Sequence, residues 1–296
     1  MRAAVVTEFG GPEVVEVVEV GVPEPGSRQI RIKVAAAAVN PVDVGVRVGV
    51  FGGAGERLGL GWDVAGTVDA VGAAAGWAVG VQVVALVYGV GKSLGTYADY
   101  VVVDADAVAV APVSVDAAHA ATVPLNALAA AQALDLLALE AGQSLLVTGA
   151  AGAVGGYAVQ LAVRQGLSVV GLAREADEEL VRSLGAGRFV SGEVAPRSVD
   201  AVLDAAIVGE SALEWVRDGG AFVAVIPHTE PAPVRGVRTA AVEVSADGAR
   251  LAELVALVDE GVLTARVAQT YALADVVKAH VRLAEGGVRG RLVLVP

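Results

Sequence analysis

Cysteine is absent from the chain. That excludes disulfides, thiolate catalysis and any zinc site built on cysteine. Histidine is nearly as scarce: His119, His228 and His280 are the only three, and they lie far apart with no metal-site spacing. Aromatic residues make up only 4% of a chain that is 55% hydrophobic and rich in Ala and Val. Positive charge is in deficit, with 21 Lys+Arg against 33 Asp+Glu and a formal net charge of −12. Nucleic acids and anionic membranes select basic surfaces, so neither is an expected partner. No run reads as approaching the ~18 apolar residues of a membrane span. The segment Met1-Arg2-Ala3-Ala4-Val5-Val6 reads as a strand without the layout of a signal peptide, and the expected location is cytoplasmic.

What is present begins with length. At 296 residues there is room for two domains with cores of their own. Residues 1–113 read as short strands (2–7, 14–20, 29–38, 66–71, 82–86 and 98–103). Breaks fall at Gly10-Gly11-Pro12, at Pro23-Glu24-Pro25-Gly26 and across Gly49–Gly55. After Pro112 the pattern changes. A long Ala/Leu-rich helical stretch, 119–139, is followed by alternating elements. Strands are expected at 144–149, 168–173, 187–191, 199–205, 220–226 and 240–244. Helices are expected at 153–165, 175–184, 209–217 and 247–260. Alternation of this kind marks a doubly wound α/β sheet. A helix at 273–284 and a closing strand at 290–295 are too little for a third domain and are expected to return to the first.

Residues 144–156 read Ser-Leu-Leu-Val-Thr-Gly-Ala-Ala-Gly-Ala-Val-Gly-Gly and run into a helical stretch. An apolar strand, a glycine turn and a helix in that order build an anion site. Gly149, Gly152 and Gly155, with Ala150, Ala153 and Val154 between them, let a diphosphate approach the backbone, and the N–H groups of the helix start point at it. A tight strand-to-helix turn would use the same glycines, but a second strand follows at βαβ distance, which favours a dinucleotide. The residue after that strand's Leu172-Ala173 is Arg174. A guanidinium there suits the 2′-phosphate of NADPH, although the carboxylates of Glu175, Asp177, Glu178 and Glu179 could pair with it instead. Ala205, Val225 and Ile226, at later strand ends, are also expected to face the cofactor, because carboxyl strand ends open on the crevice.

Several stretches together carry a family likeness: 2–12 (RAAVVTEFGGP), 34–43 (VAAAAVNPVD), 61–68 (GWDVAGTV), the glycine turn with Ala158-Val159-Gln160-Leu161-Ala162, Leu184-Gly185-Ala186, and Gly290-Arg291-Leu292-Val293-Leu294. In order and spacing the chain resembles the zinc-free quinone oxidoreductase branch of the medium-chain dehydrogenase/reductase superfamily. The resemblance implies a GroES-like β-rich catalytic domain from both chain ends (1–113 and 262–296) and a Rossmann NADPH-binding domain between them (114–261). It implies hydride transfer to quinones or to the activated C=C bond of enones and enals, and often a homodimer. It places Asn40 of the Asn-Pro-x-Asp motif near the nicotinamide, with Asp43 completing the motif or capping the next helix.

The departures from the family concern the substrate side and the phosphate grip. Gly45 stands where members often carry a tyrosine, so a wider and less polar cleft is expected there. Asp177 stands at the usual lysine place and Gly192 near the usual adenosine-packing tyrosine, which leaves the 2′-phosphate to Arg174. Hydride reduction of this kind needs orientation above all, and no protein acid is obligatory. Tyr88 and His228 are the candidates if one exists. Tyr97 reads as packing, His119 and His280 as helix-surface residues, and Phe51 and Trp62 as pocket lining or core. Two other readings stay open: a specialised biosynthetic reductase acting on one large intermediate, and a non-catalytic NADPH-binding sensor.

Overall fold

The computed structural model describes residues 1–52 and 57–296, so positions 53–55 of the expected Gly49–Gly55 break lie outside the described residues. The chain divides into two compact units. The first comprises Met1–Leu125, Ser245–Gly261 and Ala265–Pro296, and the second Asn126–Val244 and Val262–Thr264.

Among the described residues of the first unit, a seven-stranded sheet runs in the order Val267–Ala272, Arg291–Val295, Gln29–Val39, Asp63–Val71, Gln82–Leu86, Val108–Val110, with Tyr100–Asp104 also pairing Gln29–Val39. A smaller sheet sets Arg2–Val6 between Glu16–Glu19 and Leu58–Gly59. Ile30, Ile32 and Val34 alternate inward along their strand and meet Val64, Val68, Val83 and Leu292 in one apolar core. Period-two burial of this kind fixes the register, because a slip of one residue would turn the whole set to solvent.

The second unit holds a six-stranded parallel sheet in the order Arg188–Val190, Ser168–Leu172, Ser144–Thr148, Val199–Asp204, Val216–Ala224, Arg238–Ala241. This is the doubly wound order, with the first strand of the unit at its centre. Leu145, Leu146, Val147 and Thr148 are buried in succession. Continuous burial is what a central parallel strand requires, since both its faces are covered.

Four expectations change. The helix at 209–217 is a 3-10 stretch, Gly209–Trp215, because the left-handed backbone of Ile207 and Gly209 breaks the approach and the next strand begins at Val216. Strand Val267–Ala272 had no sequence signal, since its side chains are mostly exposed and do not alternate. The helix Gly248–Asp259 belongs to the first unit: Gly248 lies against the backbone of Asp106 and Val108, and Asp259 accepts from the N–H groups of Val113 (2.9 Å) and Ser114 (2.8 Å). The domain boundaries expected at 113/114 and 261/262 therefore move. Finally, Ala117–Leu137 does reach the length and apolarity of a membrane span, and 78% of its apolar window is buried inside the fold.

Candidate functional site

In the second unit, strand Ser144–Thr148 ends in Gly149, whose φ of 59° is left-handed and suits glycine. Gly152 caps the helix Ala153–Arg164 with an extended backbone, and the ladder begins with Gly156 N donating to Gly152 O at 3.0 Å. The N–H groups of Ala153, Val154 and Gly155 thus stand ahead of the helical bonds, where an anion is received. A side chain at Gly155 would drive into the Gly149 carbonyl. Ala150 N donates to Leu172 O (3.1 Å), which ties the turn to the neighbouring strand.

Sequence reasoning missed the pair that supports this turn from the other side. Thr148 Oγ1 donates to Asp204 Oδ1 (2.6 Å) and accepts from Ala206 N (3.0 Å). Asp204 also takes Val208 N (3.1 Å) and Gly209 N (2.8 Å). A buried carboxylate thereby shapes the loop that brings Ala205 O to 3.2 Å from the position of a Cβ on Gly149. The one available signal was an aspartate closing an apolar strand. Val225 and Ile226 follow the end of Val216–Ala224, with Ile226 exposed and His228 exposed in a left-handed turn at φ 63°. Arg174 is 65% exposed at the end of Ser168–Leu172, and its Nε lies 3.5 Å from Asp177 Oδ2. Gly192 has open space where a side chain would be.

In the first unit a closed hydrogen-bond cluster surrounds the Asn-Pro-x-Asp motif. Asn40 caps the helix Pro41–Arg47. Its backbone N–H donates to Asp43 Oδ2 (2.8 Å), the reciprocal half of a capping box. Asp43 also accepts from Gly61 N (2.8 Å) and the Tyr97 hydroxyl (2.7 Å). The Asn40 side-chain amide donates to Asp63 Oδ2 (2.7 Å), whose second oxygen takes Leu125 N (2.6 Å). Asn40, Asp43 and Asp63 are fully buried, and Tyr97 nearly so. Burial pushes the Asp43 carboxyl up, against the bonds from Tyr97, Asn40 and Gly61.

Burial also pushes the Asp63 carboxyl from 3.8 to about 7, against the Leu125 and Asn40 bonds and the charge of Arg291. The folded carboxyl keeps its proton through a window, about 4 to about 7, in which the unfolded one has lost it. Stability from this group is therefore greatest below the window and falls as pH rises through it. Asp63→Asn, uncharged throughout, should gain on the wild type by about 3 kcal/mol between about pH 5 and about pH 8, because about two units of the window lie above pH 5, at ~1.4 kcal/mol per pKa unit. Urea titrations at the two pH values measure this, and a constant difference would contradict it.

Trp62 is buried beside this cluster, with the half-exposed Tyr88 ring edge-on to it at 5.3 Å. Lys92 Nζ stands 4.7 Å above the Trp62 ring and donates to Val87 O at 2.7 Å. Sequence reading had passed over Lys92. Burial lowers its ammonium to about 8, although Asp43 and Asp63 pull the other way. Two further expectations are corrected. A Cβ on Gly45 would sit 2.9 Å from Phe51 Cε2, so the exposed Phe51 ring fills the space that was expected to be open. His280 is fully buried, because it lies on the stripe of Val276, Ala279 and Leu283 that faces the sheet. Its ring is 6.2 Å from that of Tyr97, and burial together with Arg47 lowers its pKa to about 4. His119 lies at the surface and pairs with Asp116 at 2.7 Å.

Comparison with known proteins gives two family matches. The alcohol dehydrogenase GroES-like domain matches residues 26–113, and the zinc-binding dehydrogenase family matches residues 175–294. The 2-methylene-furan-3-one reductase of Solanum lycopersicum is 31% identical over 100% of this chain and 79% of its own length. The chain belongs to the medium-chain dehydrogenase/reductase superfamily, in its quinone oxidoreductase branch. A chloroplastic NADPH-dependent alkenal/one oxidoreductase of Arabidopsis thaliana is 35% identical over 81% of this chain, which spans 66% of that relative's length. The quinone oxidoreductase of Coxiella burnetii superposes with a TM-score of 0.88 at 27% identity, covering 100% of this chain and 99% of its own.

The superfamily name raises the question of zinc, and the side chains do not fit it. Among the described residues no three His, Cys, Asp or Glu converge. Beside Asp63 stand Asn40, whose amide is a donor to it, and Trp62, which has no lone pair to offer a metal.

Proposed function

We propose that this chain is an NADPH-dependent oxidoreductase that reduces a quinone or the activated C=C bond of an enone or enal, without a metal. The observation that carries the reading is the Gly149–Gly155 turn opening a twelve-residue helix with its first N–H groups ahead of the ladder. Bound NADPH supplies the hydride. Ala153, Val154 and Gly155 receive the diphosphate, Arg174 the 2′-phosphate, and Ala205, Val225 and Ile226 line the same side of the sheet. Asn40, locked by Asp63, is held in one orientation for the nicotinamide end. The half-exposed Tyr88 ring, backed edge-on by the buried Trp62, offers a flat apolar face to a conjugated substrate. The Phe51 ring over Gly45 removes one reason to favour a single large intermediate.

NADPH oxidation against simple quinones and enals tests the reading. Binding without oxidation would favour a sensor. The donor set also leads us to expect full activity after chelation, and about one zinc per chain on elemental analysis would contradict this. A homodimer in the cytoplasm completes the proposal, to be checked by sedimentation and fractionation. A net charge of −12 supports the lack of nucleic-acid and anionic-membrane partners.

Arg174→Ala should weaken NADPH by roughly 10-fold and leave NADH nearly unchanged. A charge-assisted pair is worth roughly 1.5–3 kcal/mol, or on the order of 10- to 100-fold. The exposure of Arg174 and its contact with Asp177 place the effect at the low end. Equal losses for both cofactors, compared as dissociation constants, would remove the 2′-phosphate role.

A further inference from the structure

We infer that Lys92 is the proton donor of this site, delivering a proton to the oxygen of the reduced substrate from its seat above Trp62. The inference rests on the reductase reading and adds a residue that neither motif nor family likeness supplied.

The geometry defines the seat. One N–H of the ammonium is spent on Val87 O at 2.7 Å, and the Trp62 face lies 4.7 Å away on another side. An ammonium has three N–H donors, and an indole face attracts the cation without consuming an acceptor site. Lys92 is itself part-buried, and the half-exposed Tyr88 ring stands edge-on to Trp62 beside it. A flat conjugated carbonyl stacked on the half-exposed Tyr88 ring would turn its oxygen toward the ammonium.

The chemistry balances with groups already named. Hydride from NADPH adds to the β-carbon of the enone, the C=C π bond breaks, and its electron pair moves to the carbonyl oxygen as an enolate. A Lys92 N–H bond then breaks, the proton passes to that oxygen, and the enol rearranges to the ketone in water. The neutral amine recovers its proton from water, and NADP⁺ leaves oxidised. A quinone takes the same hydride and the same proton to become the hydroquinone.

The charged groups facing Lys92 are Asp43, from the helix Pro41–Arg47, and Asp63, from the strand Asp63–Val71. Both favour its charged form, and burial opposes them, which leaves it titrating near neutrality at about 8. A proton donor working at neutral pH needs its pKa in that region.

The test compares wild type, Lys92→Arg and Lys92→Met with 1,4-benzoquinone and trans-2-hexenal. Wild-type kcat should hold below about pH 8 and fall roughly tenfold per pH unit above it. Lys92→Arg keeps a cation over Trp62 but never yields its proton, so kcat should drop roughly 100-fold and lose the alkaline fall. Without any substrate, tryptophan fluorescence of the wild type should show a step near pH 8 that is absent in Lys92→Met. If the wild type oxidises NADPH and the alkaline fall persists in Lys92→Arg, or its rate is unchanged, the Lys92 role is overturned and the reductase reading stands. If the wild type binds NADPH and reduces neither probe, the reductase reading fails and the Lys92 role with it.

Discussion

A Gly152→Asp variant should fold and lose NADPH, with affinity falling by at least ~100-fold. Position 152 is the cap of the helix Ala153–Arg164, with φ −71° and ψ 179°, a backbone open to any residue. A Cβ there meets Gly149 O at 3.0 Å, a contact that a small local shift relieves. Aspartate is among the best capping residues, because its carboxylate accepts from the N–H groups of the first turn. Those are the groups a diphosphate needs. The new side chain would satisfy the helix and occupy the anion site at once, adding like charge where the cofactor brings its own. Charge-assisted bonds are worth roughly 1.5–3 kcal/mol each. Displacing two of them gives a loss of about 3 kcal/mol or more, which sets the ~100-fold floor. Fluorescence titration of the folded variant decides the matter, and undiminished affinity would end the assignment of the turn.

Asp43→Ala should be the most damaging single change in the first unit, costing about 4 kcal/mol. The carboxylate is fully buried and accepts from Asn40 N, Gly61 N and the Tyr97 hydroxyl. Alanine takes the acceptor from the Asn40 and Gly61 N–H groups and leaves the Tyr97 hydroxyl only its 3.4 Å contact with Ala38 O, each loss costing roughly 1–3 kcal/mol, and the sum is tempered because the three are close enough to relax together. Asp43→Asn keeps one acceptor oxygen and should lose about half as much. Urea midpoints at unchanged m-value give the numbers. A loss below about 1 kcal/mol for alanine would show that water reaches these donors. The same change frees the Asn40 backbone, which Asp43 holds, and leaves its amide to Asp63.

What could be read from the sequence was what is local. The glycine turn lies within a few residues of the strand and helix it joins, so composition and order exposed it. The Asn-Pro-x-Asp motif was visible for the same reason, with Asn40 as the helix cap and Asp43, in the first turn, accepting from the Asn40 backbone. Asp63 acts through Leu125, 62 positions away, and no local pattern announces that bond. Lys92 carried no sequence signal, and only the fold sets it over Trp62. His280 was misread because a single polar residue on an amphipathic helix is assumed to point outward, whereas its stripe with Val276 and Leu283 points in. The packing of Phe51 over Gly45 depends on the return of the chain after the helix, which the absence of a side chain at 45 could not foretell.

The place of strand Arg291–Val295 bears on how the protein is made. It pairs with Gln29–Val39 through Leu292↔Val39, Val293↔Ala38 and Leu294↔Ala37. All strands of the parallel sheet lie between Ser144 and Ala241. On the ribosome the second unit can close while the first still lacks a central strand. At about 5–20 residues per second, the edge at Ala37–Val39 waits on the order of ten seconds or more for its neighbour. Asn40 follows Val39 directly, so the hydrogen-bond cluster of Asn40, Asp43 and Asp63 is ordered late in synthesis. A nascent chain stalled before position 291 would offer chaperones an apolar strand edge while all strands of the parallel sheet are already made.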